Sequence, residues 1–283
     1  MSCTRIIPRL DIKGPNLVKG IHLEGLRVLG KPEEFAEFYY QQGADELIYM
    51  DVVASLFERN SLDEIISRTA QKVFIPITVG GGLRTIDDIR NVLRVGADKA
   101  CMNTAAINNP QLISEAANIF GRSTIVVALE VIKEKNGDYL CYTDNGREFT
   151  GKKAIEWAQE VEKLGAGELV ITSVDREGTG EGFDLELIEA ISSRVSIPVI
   201  AHGGCGKLDH LSELFGTKTP PQAVSIASSL HYGRLEQMVA NETVFAEGNT
   251  EFLKSGRGFS KMEALSISQI KNHVSDLGIN IRK

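Results

Sequence analysis

The sequence predicts an α/β fold, a closed (β/α)8 barrel of the TIM type built from two repeated half-barrels. An internal repeat is the first observation. Gly43-Ala-Asp-Glu-Leu-Ile-Tyr-Met-Asp51 recurs as Gly165-Ala-Gly-Glu-Leu-Val-Ile-Thr-Ser173, and Phe74-Ile-Pro-Ile-Thr-Val-Gly-Gly-Gly82 recurs as Ser196-Ile-Pro-Val-Ile-Ala-His-Gly-Gly204. Lys99–Thr104 likewise falls on Ala223–Ser228, and Pro8–Ile12 on Val127–Val131. The second observation is that short Val- and Ile-rich runs alternate with amphipathic stretches of helix length. Such crossovers imply parallel strands joined by right-handed connections. Size is the third: 283 residues accommodate one closed barrel, which takes about 250, with some extra material.

Eight runs read as buried parallel strands: Arg5–Asp11, Glu46–Val52, Phe74–Val79, Lys99–Asn103, Thr124–Glu130, Glu168–Val174, Ile197–Ala201 and Ala223–Ser228. Helices fit between them. Pro32–Gly43 opens with Pro in its first turn and stops at Gly. The same grammar marks Leu62–Lys72, Thr85–Gly96, Pro110–Gly121, Lys152–Gly165, Leu185–Arg194 and Leu208–Phe215, and the last helix is Leu265–Leu277. Residues 1–283 are thus read as one barrel. Two segments break the rhythm. Val131–Gly151 carries Asn136-Gly137 and Asn145-Gly146, which are hairpin signals, and reads as a small β-excursion over the barrel mouth. Arg234–Ala264 is an insertion between strand eight and the last helix, expected to act as a partly mobile lid; a loop that long inside a compact domain is usually functional or disordered.

Composition removes several function classes. A formal charge of −7 argues against a nucleic-acid footprint. No apolar run approaches the roughly 20 residues of a membrane span, so no membrane contact is expected. The four cysteines have no metal-like spacing, and no signal peptide is evident, which points to a reduced, cytoplasmic setting. The five histidines show no ligand spacing, so neither a metal nor a cofactor is expected.

Asp11 and Glu130 end strands one and five. Residues at the C-terminal ends of barrel strands face the active site, and strands one and five are opposed across the barrel. The two carboxylates would therefore flank one cavity, as a general acid and a general base acting on two sides of a substrate require. Gly81 and Gly82 with Asn103 and Thr104, and Gly203 and Gly204 with Ala227 and Ser228, are candidate phosphate loops. Glycines let backbone N–H groups approach an anion closely, and a helix N-terminus adds its dipole. Two such loops across one mouth suit a substrate with a phosphate at each end. Asp51 and Asp175, after strands two and six, are read as hydrogen-bonding substrate hydroxyls or capping their loops. Arg5, Glu46, Lys99 and Glu168 each begin a strand and so sit at the barrel floor. Charges pointing into a core must pair. They form either a structural plug of salt bridges or a gate for something entering from below.

At these residues the chain resembles the cyclase (HisF-type) subunit of imidazole glycerol phosphate synthase. The motifs are Arg5-Ile-Ile-Pro-x-Leu-Asp11, Val18-Lys-Gly20, Gly43-Ala-Asp-Glu46, Val79-Gly-Gly-Gly82, Asn103-Thr104, Gly165-Ala-Gly-Glu168, Thr172-Ser173, Asp175-Arg-x-Gly178 and Ala201-x-Gly-Gly204. The resemblance implies a lyase of histidine biosynthesis. It would cyclise a bis-phosphorylated ribulosyl-formimino carboxamide ribonucleotide with ammonia to imidazole glycerol phosphate and an aminoimidazole carboxamide ribotide. A glutamine amidotransferase (HisH-type) partner would dock at the barrel bottom. Arg5, Glu46, Lys99 and Glu168 match the family's ammonia gate, and Lys19 matches a mobile lysine that closes over substrate. Thr172, Asp175 and Gly178 fall in its substrate motifs.

The chain departs from the family pattern in three places: Glu130 stands where the family has Asp, Arg9 where it has a small Cys, and the 234–264 insertion has no counterpart in the common pattern. Two other functions are therefore weighed. One is a HisF-like paralogue that delivers ammonia for amidine formation on a bacterial surface sugar. The other is a non-catalytic activator of a glutaminase, which would be expected to lose the carboxylates.

Overall fold

The structure is a computed structural model and describes residues 3–54, 62–240 and 262–282. In chain order its strands are β1 (Arg5–Lys13), β2 (Asn16–Ile21), β3 (Glu24–Gly30), β4 (Leu47–Asp51), β5 (Ile77–Gly80), β6 (Lys99–Met102), β7 (Ile125–Lys133), β8 (Tyr139–Thr143), β9 (Glu148–Lys153), β10 (Glu168–Ser173), β11 (Val199–His202) and β12 (Ala223–Ile226). Its described helices are α1 (Pro32–Gln41), α2 (Asp63–Ala70), α3 (Ile86–Arg94), α4 (Thr104–Asn108), α5 (Gln111–Phe120), α6 (Ala154–Leu164), α7 (Leu185–Ser192), α8 (Asp209–Phe215), α9 (Ser228–Ala240) and α10 (Ile267–Asp276). Strands pair in the order β10-β11-β12-β1-β4-β5-β6-β7, and β7 pairs β10, so eight parallel strands close on themselves. This is the (β/α)8 TIM barrel that the repeat and the strand–helix alternation predict.

Helix boundaries follow from local chemistry. Thr85 and Ser266 each close a capping box with the residue three further on, Asp88 and Gln269, satisfying backbone N–H groups at the starts of α3 and α10. Pro32 opens α1, where its missing N–H costs no helix bond.

Strand alternation sorts the side chains into two concentric layers. Ile6, Leu10 and Ile12 of β1 and Ile125, Val127 and Leu129 of β7 point outward and pack under the helices. Ile7, Ile48, Cys101, Val126, Val170, Ile200 and Ala223 point inward and fill the barrel waist. The same parity puts Arg5, Arg9 and Asp11 on the inner side of β1, and Glu130 on the inner side of β7.

The expected excursion at 131–151 is present: β7 runs on into an antiparallel pair with β8, and β8 pairs with β9. Its counterpart was not anticipated. β1 also runs on, pairing antiparallel with β2, which pairs with β3. Each half-barrel thus carries one hairpin above the mouth. At 234 the expected loop is instead helix, because α9 continues to Ala240. Residues 241–261 of the expected lid lie outside the described residues; at its end, Glu263 N–H bonds the Gly206 carbonyl at 2.7 Å.

Candidate active site

The barrel mouth holds a cavity of about 460 Å3, lined by Arg9, Asp51, Gly81, Gly82, Asn103 and Thr104 among others, with Glu130 in its wall. Glu130 is 6% exposed. Its Oε2 accepts the Gly146 N–H at 2.8 Å from the β8–β9 turn. Burial pushes its carboxyl up to about 7, against the pull of Arg9 and of that N–H. A carboxyl balanced in this way exchanges a proton readily near neutral pH.

Asp11 is placed differently from the sequence expectation. It points into the barrel opposite β7 but does not line that cavity. The physical reason is Arg9. Two residues earlier on the same inner face, Arg9 donates from Nε to Asp11 Oδ1 at 2.8 Å and from Nη1 to Thr172 Oγ1 at 3.2 Å. Thr172 is the register partner of Glu130 on the adjoining strand, so the guanidinium reaches across from β1 to the β7–β10 side. Burial opposes the Arg9 cation, yet Asp11, Glu177 and Glu130 outweigh it and hold its pKa above the ordinary value.

Lys19 comes in on β2, almost fully buried. Its Nζ pairs with Glu177 Oε1 and lies 4.0 Å from Asp11 Oδ2. Glu177 was not anticipated; the sequence reading selected Asp175. The turn after β10, closed by Glu177 N–H to the Ser173 carbonyl, rotates Glu177 inward, while exposed Asp175 accepts the Lys133 N–H at 2.8 Å. Asp175 therefore takes the loop-capping role. Although burial works against it, Lys19 and then His202 hold the Glu177 carboxyl well below its ordinary range. His202 donates from Nδ1 to the Ser225 carbonyl at 2.9 Å, and its Nε2 lies 3.1 Å from Glu177 Oε2 without an aligned hydrogen bond.

The two glycine loops keep the repeat's geometry. Gly81 and Gly203 both have φ +99, and a Cβ there would meet the Asp51 carbonyl oxygen at 2.3 Å and the Ser173 carbonyl oxygen at 2.7 Å respectively. Glycine is required at both by backbone crowding and by handedness. Beside the first loop, Asn103 precedes α4 and Thr104 Oγ1 accepts the Asp144 N–H at 3.2 Å. Asp51 caps its own loop through Val53 N–H at 3.0 Å and also lines the main cavity. Around the second loop, Gly178, Gly203, Gly204, Ala227, Ser228 and Met262 enclose a cavity of only about 10 Å3. That is room for about one water, so the two equivalent loops differ sharply in free space.

At the opposite end, the four predicted floor charges close a ring. Arg5 bonds Glu46 at 2.8 Å and also pairs with Glu168; Lys99 reaches both carboxylates at 3.0 Å. Burial works against the Arg5 cation, but Glu168 and Glu46 raise its pKa overall. Between ring and mouth lies the apolar waist. Among the described residues, no group of three His, Cys, Asp or Glu side chains is placed to hold a metal ion, and no helix is long and apolar enough to cross a membrane.

A family model described as "Histidine biosynthesis protein" matches residues 5–236. The chain belongs to this family. A Legionella pneumophila protein named imidazole glycerol phosphate synthase subunit HisF is 59% identical over 212 residues, 75% of this chain and 100% of that relative. Proteins of the same name from Lactococcus lactis subsp. cremoris and Clostridium botulinum strain Okra are 48% identical over 234 residues and 41% identical over 283 residues. They cover 82% of this chain and 90% of the relative in the first case, and all of both in the second. The family match spans both half-barrels, the floor ring and the mouth.

Proposed function

We propose that this chain is the ammonia-dependent cyclase subunit of an imidazole glycerol phosphate synthase, working as a lyase in the cytoplasm. It closes the imidazole ring on a bis-phosphorylated formimino carboxamide ribonucleotide and releases imidazole glycerol phosphate and an aminoimidazole carboxamide ribotide. One observation carries the reading: a single inward-facing column links a ring of four charges at the floor to buried carboxylates at the mouth. An isomerase acting only at the mouth has no use for the ring, whereas an enzyme fed with ammonia from below does. The names of the relatives point the same way.

In this reading Glu130 serves proton transfer, Asp11 acts from the opposite strand through the charged groups beside it, and Lys19 closes the site. Gly81, Gly82, Asn103 and Thr104 hold one phosphate of the substrate; Gly203, Gly204, Ala227 and Ser228 hold the other, after their loop opens. Thr172 and Gly178 shape the wall between them. Arg5, Glu46, Lys99 and Glu168 gate ammonia delivered by a glutamine amidotransferase docked at the floor. Phe74, 75% exposed on the loop entering β5 at that end and edge-on to Tyr40, gives such a partner an apolar anchor. The test is turnover of the ribonucleotide with ammonium salt and the purified chain alone. Product formation without any glutaminase is expected. No turnover would refute the reading and favour a different ammonia acceptor.

A further inference from the structure

The residue that meets the cavity from β1 is Arg9, not Asp11. Its guanidinium is fixed from behind by two hydrogen bonds, through Nε to Asp11 and through Nη1 to Thr172. Nη2 has no hydrogen-bond partner among the described residues. A guanidinium carries five N–H donors in a rigid plane. Two contacts therefore lock its orientation and leave a charged donor at the wall of the cavity that Glu130 also lines. Donors fixed in advance where negative charge develops are the strongest form of electrostatic catalysis.

We propose that Arg9 is a further catalytic residue, an electrophilic donor for the oxyanion formed as ammonia adds to the substrate's ketone, and that Asp11 is its positioning residue. The inference rests on the cyclase reading above and deepens it. The step balances. The C–N bond forms as the ammonia lone pair attacks the carbonyl carbon, and the carbonyl π pair moves onto oxygen beside Arg9 Nη2. The Glu130 carboxylate takes one proton from the new ammonium nitrogen and returns it to that oxygen. The product is a neutral carbinolamine, Arg9 keeps all its protons, and Glu130 ends as it began. Arg9 faces Asp11 on its own strand, Glu130 on β7, Cys101 on β6, and Glu177 in the loop after β10. Lys19 on β2 is the other cation beside Asp11.

The experiment is ammonium-dependent steady-state turnover of Arg9→Gln, Arg9→Lys, Asp11→Asn and the double variant Asp11→Asn with Arg9→Gln, each checked for folding by circular dichroism and urea unfolding. Arg9→Gln should lower kcat by about 10²–10³-fold with KM within about twofold, as loss of an oxyanion donor does. Arg9→Lys keeps the charge but not the fork, and should recover about tenfold of that loss. Because Asp11 acts through Arg9, the double variant should be no slower than the worse single variant. Losses that multiply would overturn the positioning role and restore Asp11 as an independent acid. Unchanged kcat in both Arg9 variants would overturn the donor role, as would a rise in KM alone, which would make Arg9 a binding group. If Arg9→Gln fails to fold, Arg9→Lys with Asp11→Asn decides by the same split. Wild-type protein without turnover would instead remove the cyclase reading and this inference with it.

Discussion

Replacing Glu130 by Gln should remove a pH dependence that the wild type's stability carries. The carboxyl is buried in the mouth and pushed from an ordinary 4.5 up to about 7. Each unit of difference between folded and unfolded states is worth about 1.4 kcal/mol, so the shift amounts to about 3 kcal/mol at most. The sign is fixed by which state binds the proton. Between about 4.5 and 7 the folded state holds a proton that the unfolded chain has released. The favourable contribution is therefore complete below the unfolded value and is lost as pH rises through about 7. Gln copies the neutral form at every pH, and its amide oxygen can still accept the Gly146 N–H. Urea unfolding of both proteins at pH 4.5 and pH 8.5, with the slope checked for equality, measures the effect. The variant should gain on the wild type by about 3 kcal/mol between the two conditions. A stability difference that stays flat with pH, or that turns against the variant at alkaline pH, would refute the claim that burial dominates at Glu130. Ammonium-dependent kcat should bend near neutral pH in the wild type for the same reason.

Three further outcomes follow from the geometry. Lys99→Met or Arg5→Ala should uncouple glutamine-dependent synthesis from glutaminase turnover while sparing ammonium-dependent synthesis. Breaking such a pair costs about 3–5 kcal/mol when fully buried and less at this partly exposed ring, so thermal stability must be followed too, and equal loss in both assays would make the ring a plug only. Gly81→Ala drives a methyl to 2.3 Å from the Asp51 carbonyl oxygen at φ +99, and should cost on the order of 2 kcal/mol and weaken phosphate binding; calorimetry showing wild-type values for both would count against the loop assignment. Inorganic phosphate should fill the open loop first, with a second equivalent appearing at lower concentration in Met262→Ala, since Met262 helps confine the second loop to about 10 Å3; equal affinity at both loops in the wild type would contradict that asymmetry.

The barrel was legible because its signal is redundant: eight apolar runs, capped helices and a repeat all give the same count. Particular failures have particular causes. The β2–β3 hairpin turns at His22 and Leu23, both with positive φ and neither an Asn-Gly signal. The β1–β2 turn carries Gly14-Pro15, but the Asn-Gly signals stand only in its repeat partner, with Gly137 and Gly146 at its turns, and carrying the repeat back would have found the first hairpin. Glu177 escaped because strand-end reasoning stops at the last strand residue. Its inward direction is set by a tight turn that no single residue marks, and two positions decide between a buried carboxylate and exposed Asp175. Arg9, by contrast, was readable. It shares its parity with Arg5 and Asp11, so a strand of period two places all three on one inner face. What parity could not say is that the guanidinium would cover Asp11 and take its place in the cavity wall.

The charges at the mouth also explain which carboxylate carries the exchangeable proton. Two buried cations, Arg9 and Lys19, stand beside the buried carboxylates Asp11, Glu130 and Glu177. Asp11 has Arg9 at 2.8 Å, and Glu177 has Lys19 and the nearby His202 ring. Glu130 is left with one backbone N–H and the more distant pull of Arg9. An isolated charge taken out of water costs far more than a paired one, so the unpaired member is the one that holds its proton. The repeat laid two carboxylates at equivalent strand ends, and Arg9, whose repeat partner is the small Ala128, breaks that equivalence. If this balance decides the matter, moving the cation should move the proton. Arg9→Gln removes the attraction on Glu130, so an infrared carboxylic-acid band assigned to Glu130 should shift to higher pH. A Glu130 titration that stays where it is in Arg9→Gln would mean that burial alone sets it, and that the guanidinium contributes nothing to the order in which the mouth is protonated.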